Sequence, residues 1–226
     1  YVASSTDDPA AIDPTVLAQT VNAGRAFGSN GPFVEVSLVA GGGANTAGLG
    51  LGTSLSSGPA DGGQASLGIA VSSPAWAQFD TIEVYANSTP DCVTEYNYFG
   101  GLNKACTIEP LHTLVAGTDF NVALGTGQLG AGQVLSATAS VNVPANQDGW
   151  VLVVVRGTDG VSKPLFPVRP KDLAEFGNAT LAGLTNNGQA PPWNLGEEGV
   201  MAMAFTNPLF IDADGDGVCV GGSTCP

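Results

Sequence analysis

Short apolar runs separated by glycine-, proline- and asparagine-rich turns recur along this chain. Residues 33–39 and 81–86 alternate apolar and polar side chains, which is the pattern of strands with one buried face. Residues 150–156 are apolar almost throughout and predict a central strand buried on both faces. Further predicted strands cover residues 65–72, 111–116, 134–143, 200–205 and 209–211. Short strands with turns between them are typical of all-β folds, and we predict an immunoglobulin-like β-sandwich.

One short helix is predicted before the first strand. Asp13 suits the N-cap, and Pro14 suits the first helical position because proline has no NH to leave unpaired there. An apolar stripe, expected to pack on the sandwich, is formed by Ile12, Val16, Leu17 and Val21. Gly24 or Gly28 ends the predicted helix.

The chain is predicted to divide near residue 31. Residues 1–31 form an N-terminal extended segment and the helix, and residues 32–226 form the β-sandwich domain with an Asp-rich loop at its C-terminal end. The connection Ser73-Pro-Ala-Trp76 lies between two predicted strands. We expect it to join the two sheets and to bury Trp76.

The Asp-rich loop is the strongest candidate for a metal site. Its carboxylates stand at alternate positions, at Asp212, Asp214 and Asp216. Gly217 follows for a sharp turn, and the carbonyl of Val218 falls at the next coordinating position, which suits Ca²⁺. An EF-hand needs a glutamate where this chain has Ser223, so the loop is either a calcium loop of another kind or an acidic turn without metal. If Ca²⁺ binds, we expect it to fix the C-terminal region rather than to perform chemistry.

Charge excludes several classes of partner. The chain of 226 residues has 20 acidic and 6 basic residues and a net charge of −14. Nucleic-acid binding needs a basic face, and docking to anionic lipid needs basic clusters, so both are disfavoured. No apolar run approaches the roughly 20 residues that a membrane-spanning helix requires. An acidic, lysine-poor composition favours an extracellular or cell-surface location, where Ca²⁺ is plentiful.

The four cysteines form two local pairs. Three disulfide connectivities are formally possible, and proximity favours Cys92–Cys106 and Cys219–Cys225. Disulfides would indicate an oxidising compartment. A zinc site is not predicted, because the chain has one histidine and no Cys-x-x-Cys motif.

No catalytic constellation is visible, so we predict no catalytic residue and no enzymatic activity for the chain alone. His112 lies in a strand pattern without a nucleophile elbow, and the adjacent Glu197 and Glu198 are expected to point apart. Asn87 and Asn178 begin glycosylation sequons. Aromatic residues that could line a sugar platform, or simply fill the core, are Trp76, Tyr85, Tyr96, Tyr98, Phe99 and Trp193.

Several segments, taken in order, resemble the region that follows the catalytic barrel of PHP-type (polymerase and histidinol phosphatase) metal-dependent phosphoesterases, in the secreted, carbaryl-hydrolase-like branch. The segments are Asp7-Asp-Pro-Ala-Ala-Ile-Asp-Pro14, Ala23-Gly-Arg-Ala-Phe-Gly-Ser-Asn-Gly-Pro-Phe33, Ser73-Pro-Ala-Trp76, Ile82-Glu-Val-Tyr85 with Asn87, residues 148–156 and residues 204–217. The resemblance implies a β-sandwich tail. The family's metal ligands would lie on a barrel before Tyr1, so none can be assigned here, and the cysteine-flanked loop 92–106 departs from the family.

Two functional hypotheses follow. The first is a non-catalytic extracellular protein with a structural role, as a subunit of a surface layer or filament that self-associates by donating residues 1–12 to a neighbouring sheet. The alternative is an accessory or ligand-binding domain, cleaved from a larger secreted phosphoesterase whose barrel lies upstream of Tyr1. The sequence identifies no ligand.

Overall fold

The chain forms two packed β-sheets. The computed structural model describes residues 1–2, 4, 6, 8–22, 26–39, 45–48, 54–56, 63–87, 96–97, 101–102, 109–126, 132–158, 161–163, 165, 200–219 and 223–224. Within these residues the sheets and one α-helix confirm the predicted all-β sandwich. The immunoglobulin-like subtype stays a prediction.

The first sheet, called here the β12 sheet, contains seven strands. They are β1 (Gly28–Ser29), β4 (Ser54–Ser56), β6 (Thr81–Ala86), β9 (His112–Val115), β12 (Gly149–Arg156), β13 (Met203–Phe205) and β14 (Leu209–Asp212). β6 pairs with one side of β12, and β9 pairs with β6. On the other side of β12, β13 and β14 pair with its two halves. β1 flanks β13, and β4 flanks β14 in parallel orientation, whereas the other pairs are antiparallel.

The second sheet, called the β5 sheet, is antiparallel and has five strands in the order β10-β11-β5-β2-β3. They are β2 (Phe33–Val39), β3 (Asn45–Gly48), β5 (Gln64–Pro74), β10 (Ala123–Thr126) and β11 (Gln133–Pro144). Two small hairpins complete the strands: β7 (Tyr96–Asn97) with β8 (Gly101–Leu102), and β15 (Val218–Cys219) with β16 (Ser223–Thr224). The sequence pattern did not predict β10.

The core lies between the two sheets, and β2, β5 and β12 contribute alternate residues to it. β5 has a regular alternation of buried and more exposed positions, and β2 matches it. Side chains that are at most 2% exposed include Val34, Val36, Leu38, Leu67, Ile69, Val71, Ile82, Val84, Val151, Val153, Val155, Leu209 and Ile211. Burial of each such aliphatic side chain contributes about 1.5–3 kcal/mol, so these alternating positions account for most of the drive to fold.

Two predictions about burial are wrong. β12 is central, but its residues alternate between buried and half-buried, because its second face points away from the other sheet. Trp76 is 64% exposed, whereas the neighbouring Ala77 is fully buried. The connection does join the two sheets as predicted, but its turn, closed by a hydrogen bond from the Ala77 NH to the Pro74 carbonyl at 2.8 Å, directs the tryptophan outwards.

The N-terminal helix forms but does not pack. It is α1 (Pro14–Asn22), it follows a short 3₁₀ helix (Pro9–Ala11), and Asp13 caps it by accepting a hydrogen bond from the Thr15 NH at 2.8 Å. No residue of α1 is buried, so the predicted packing on the sandwich is wrong. Among the described residues no helix is long and apolar enough to cross a membrane.

Candidate functional site

The pairing of β12 with β14 places two acidic segments side by side. Gly149 pairs with Ile211, so Asp148, just before β12, lies next to the residues that end β14. The Asp148 carboxylate accepts a hydrogen bond from the Ala213 NH at 3.0 Å, across 65 residues of sequence. The turn before β12 is therefore tied to the Asp-rich loop.

Asp212 organises the loop that follows β14. Its side chain is fully buried, and its two carboxylate oxygens accept hydrogen bonds from the NH groups of Gly215, at 2.7 Å, and Gly217, at 3.0 Å. Both glycines have positive φ, 75° and 80°, a conformation that side chains disfavour. The Asp-Gly alternation is thus needed for the turn itself, with or without a metal.

Three carboxylates converge at this loop. Ligand atoms of Asp148, Asp212 and Asp214 all lie within 4.8 Å of one another, with Asp212 buried and Asp214 exposed. Asp212 and Asp214 are two of the residues predicted from sequence, whereas Asp148 was missed. The only local signal at Asp148 is an Asp-Gly pair after a strand, which is too common to indicate a metal.

The other two predicted ligands are not part of this group among the described residues. The Asp216 carboxylate accepts a hydrogen bond from the Val218 NH at 2.7 Å, and its own NH donates to Asp214 at 3.1 Å. Val218 begins β15 and pairs with Thr224. Asp216 and Val218 therefore take part in hydrogen bonds within the turn.

The predicted disulfides fall largely outside the described residues. Cys92, Cys106 and Cys225 are outside them, and Cys219 is described only as a backbone position paired with Ser223. The pairings Cys92–Cys106 and Cys219–Cys225 stay predictions.

A second polar site, not predicted from sequence, surrounds Asp80. This residue is 5% exposed, and its carboxylate accepts hydrogen bonds from the hydroxyls of Ser162 and Thr158, at 2.5 and 2.7 Å. The Thr158 NH at 2.8 Å and the Thr81 hydroxyl at 2.6 Å also donate to it. Burial alone would raise the pKa of Asp80, but these hydrogen bonds outweigh it and hold the pKa below its usual value.

An ion pair lies on the outer face of the β12 sheet. The Arg156 guanidinium bonds to Glu83 at 2.7 Å, and the Tyr85 hydroxyl donates to the same carboxylate at 3.1 Å. Arg156 holds the pKa of Glu83 below its usual value, while burial and the Glu83 charge raise the pKa of Tyr85. The Glu83 carboxylate is therefore occupied in bonds within the sheet.

The other residues considered from sequence are not brought together among the described residues. The His112 ring nitrogen lies 2.8 Å from the carbonyl oxygen of Asn142 and so links the two sheets. The side chain of Tyr96 and the whole of Tyr98, Phe99, Asn178, Trp193, Glu197 and Glu198 are outside the described residues.

Among the described residues, the Asp148–Asp212–Asp214 group is the best candidate for binding a ligand. It offers hard oxygen ligands from two loops, which suit a divalent cation. Comparisons of this chain with protein families, curated proteins and solved structures found no match.

Proposed function

We propose that this chain is a non-catalytic, extracellular β-sandwich with a structural role, and that Ca²⁺ fixes its C-terminal loop. The observation that carries the proposal is the convergence of three carboxylates from two loops, with one of them fully buried. A bound cation at that point would join the β11–β12 turn to the C-terminal end of the sandwich.

The electrostatics of the group favour a cation. Two unit negative charges within 4.8 Å of each other repel by about 3 kcal/mol or more at an effective dielectric constant of about 20, before further screening by solvent. Hydrogen bonds from backbone NH groups offset part of this for Asp212 and Asp148. A divalent ion offsets the remainder, and Ca²⁺ suits a flexible set of carboxylate oxygens better than Mg²⁺, which demands near-octahedral geometry.

A structural rather than catalytic role is supported by how the other titratable groups are used. Asp80 and Glu83 are both occupied by hydrogen bonds, and both have lowered pKa values, which suits permanent anions rather than proton carriers. His112 contacts a backbone carbonyl of the opposite sheet. An extracellular location is consistent with a calcium requirement, the acidic composition and the predicted disulfides.

The calcium part of the proposal is tested by thermal unfolding. At free Ca²⁺ of about 100 times Kd, binding adds about 2.7 kcal/mol of stability. For a domain of this size that raises Tm by roughly 5–10 °C. EDTA should remove the increase, and Mg²⁺ at equal concentration should restore little of it. A Tm unaffected by both Ca²⁺ and EDTA would overturn the calcium assignment.

Self-association into a surface layer or filament is the form of structural role that we favour. In this structure the N-terminal residue contacts its own chain. The Tyr1 amino group donates to the Phe27 carbonyl at 2.9 Å, and the Tyr1 and Phe27 rings stack with their centroids 4.9 Å apart. Donation of residues 1–12 to a neighbour would have to replace these contacts. Negative-stain microscopy with Ca²⁺ present should reveal ordered assemblies as concentration rises, and uniform monomers throughout would refute self-association.

A second candidate function is an accessory domain of a PHP-type phosphoesterase. Three of the segments that carry the resemblance are neighbours in one sheet: β6 and β14 both pair with β12, and the Thr206 hydroxyl accepts a hydrogen bond from the Val153 NH at 3.0 Å. A barrel with clustered histidine and aspartate ligands, encoded upstream of Tyr1, would support this candidate. Sequencing the gene upstream tests it, and a gene with no such region would exclude it.

A further inference from the structure

We draw no further inference here: the strongest candidate, the pair of apolar side chains Met203 and Phe205 of β13 on the outer face of the β12 sheet, each 44% exposed, carries nothing because no feature of the described residues shows what covers it.

Discussion

The Ser162 hydroxyl donates a hydrogen bond to the buried Asp80 carboxylate at 2.5 Å, across 82 residues of sequence. The Asp80 carboxylate also accepts hydrogen bonds from the NH and the hydroxyl of Thr158. The Asp80 NH donates to the Arg156 carbonyl at 3.2 Å. The segment after β12 is thereby tied to the connection that crosses between the sheets. A buried anion held by several donors stabilises such a junction only while all of them remain in place.

Replacing Asp80 by asparagine should destabilise the chain by about 3 kcal/mol at pH 7. The substitution removes the charge and turns one acceptor into a donor that faces other donors. The folded pKa of Asp80 lies below its unfolded value. Its contribution is therefore fully present above about pH 4 and is lost as pH falls through the folded pKa. In urea unfolding, the difference in the free energy of unfolding between wild type and Asp80→Asn should become smaller as the pH is lowered.

Glu35→Gln is the matched control for Asp80→Asn, because Glu35 is an exposed carboxylate on β2. It should change stability by less than about 0.5 kcal/mol. If the difference in the free energy of unfolding between wild type and Asp80→Asn stayed constant from neutral to acidic pH, the role assigned to the ionised carboxylate would be contradicted.

Gly149 and Asn87 should be energetically coupled. The Asn87 side-chain oxygen accepts the Trp150 NH at 2.8 Å, and a methyl group at Gly149 would lie 2.7 Å from the Asn87 amide nitrogen. Asn87 has φ of 48°, a conformation that asparagine tolerates and glycine adopts freely. Gly149→Ala should therefore cost about 2 kcal/mol through overpacking.

The coupling can be measured by a double-mutant cycle with Asn87→Gly. This second substitution keeps the backbone conformation and removes the carboxamide that the new methyl group would meet. The cost of Gly149→Ala should fall below about 1 kcal/mol in that background. Strictly additive costs would show that the alanine is penalised for another reason.

Helix α1 should contribute little to global stability. Val16 and Val21 are 53% and 45% exposed, so changing both to alanine should alter the free energy of unfolding by less than about 0.5 kcal/mol. Val151, which is fully buried in β12, provides the comparison: Val151→Ala should cost about 2 kcal/mol. Equal costs would mean that the helix packs against the sandwich after all.

Sequence patterns correctly predicted the features that depend only on neighbouring residues, such as strands, the start of the helix and a tight turn. Alternation located β2 and β6, and the Asp13-Pro14 pair located the start of α1, because each signal is contained within a few positions. The turn chemistry of the Asp-Gly run likewise predicted a tight loop after β14. The exposure of Trp76 could not be predicted in this way, because periodicity does not continue through a turn.

What depends on pairing between distant strands could not be predicted. Asp148 joins Asp212 only because Gly149 pairs with Ile211, and nothing local specifies that register. Asp80 gains three of its four donors from a segment 78–82 residues away. The apolar run of β12 was correctly identified as central, but the sequence could not tell that its second face is only half-buried.

Asp148 should be a calcium ligand, although the linear motif does not include it. Asp148→Asn keeps a side-chain oxygen that can accept the Ala213 NH, but it removes the charge from the group of three carboxylates. We therefore expect Ca²⁺ affinity to fall about tenfold, equivalent to about 1.4 kcal/mol, with the stability in EDTA nearly unchanged. Isothermal titration calorimetry measures the first effect, and thermal unfolding in EDTA measures the second.

Asp216→Asn distinguishes the geometric group from the linear motif. Asp216 accepts the Val218 NH and lies outside the group of three. Asparagine can retain that hydrogen bond, so the variant should keep Ca²⁺ affinity within about threefold of wild type, a difference of about 0.7 kcal/mol. If Asp216→Asn strongly lowered Ca²⁺ affinity and Asp148→Asn did not, the ligands would instead be the alternate aspartates of the linear motif, Asp212, Asp214 and Asp216. If the wild-type chain shows neither binding heat nor a Ca²⁺-dependent Tm, the loop is an acidic turn held by its backbone hydrogen bonds alone.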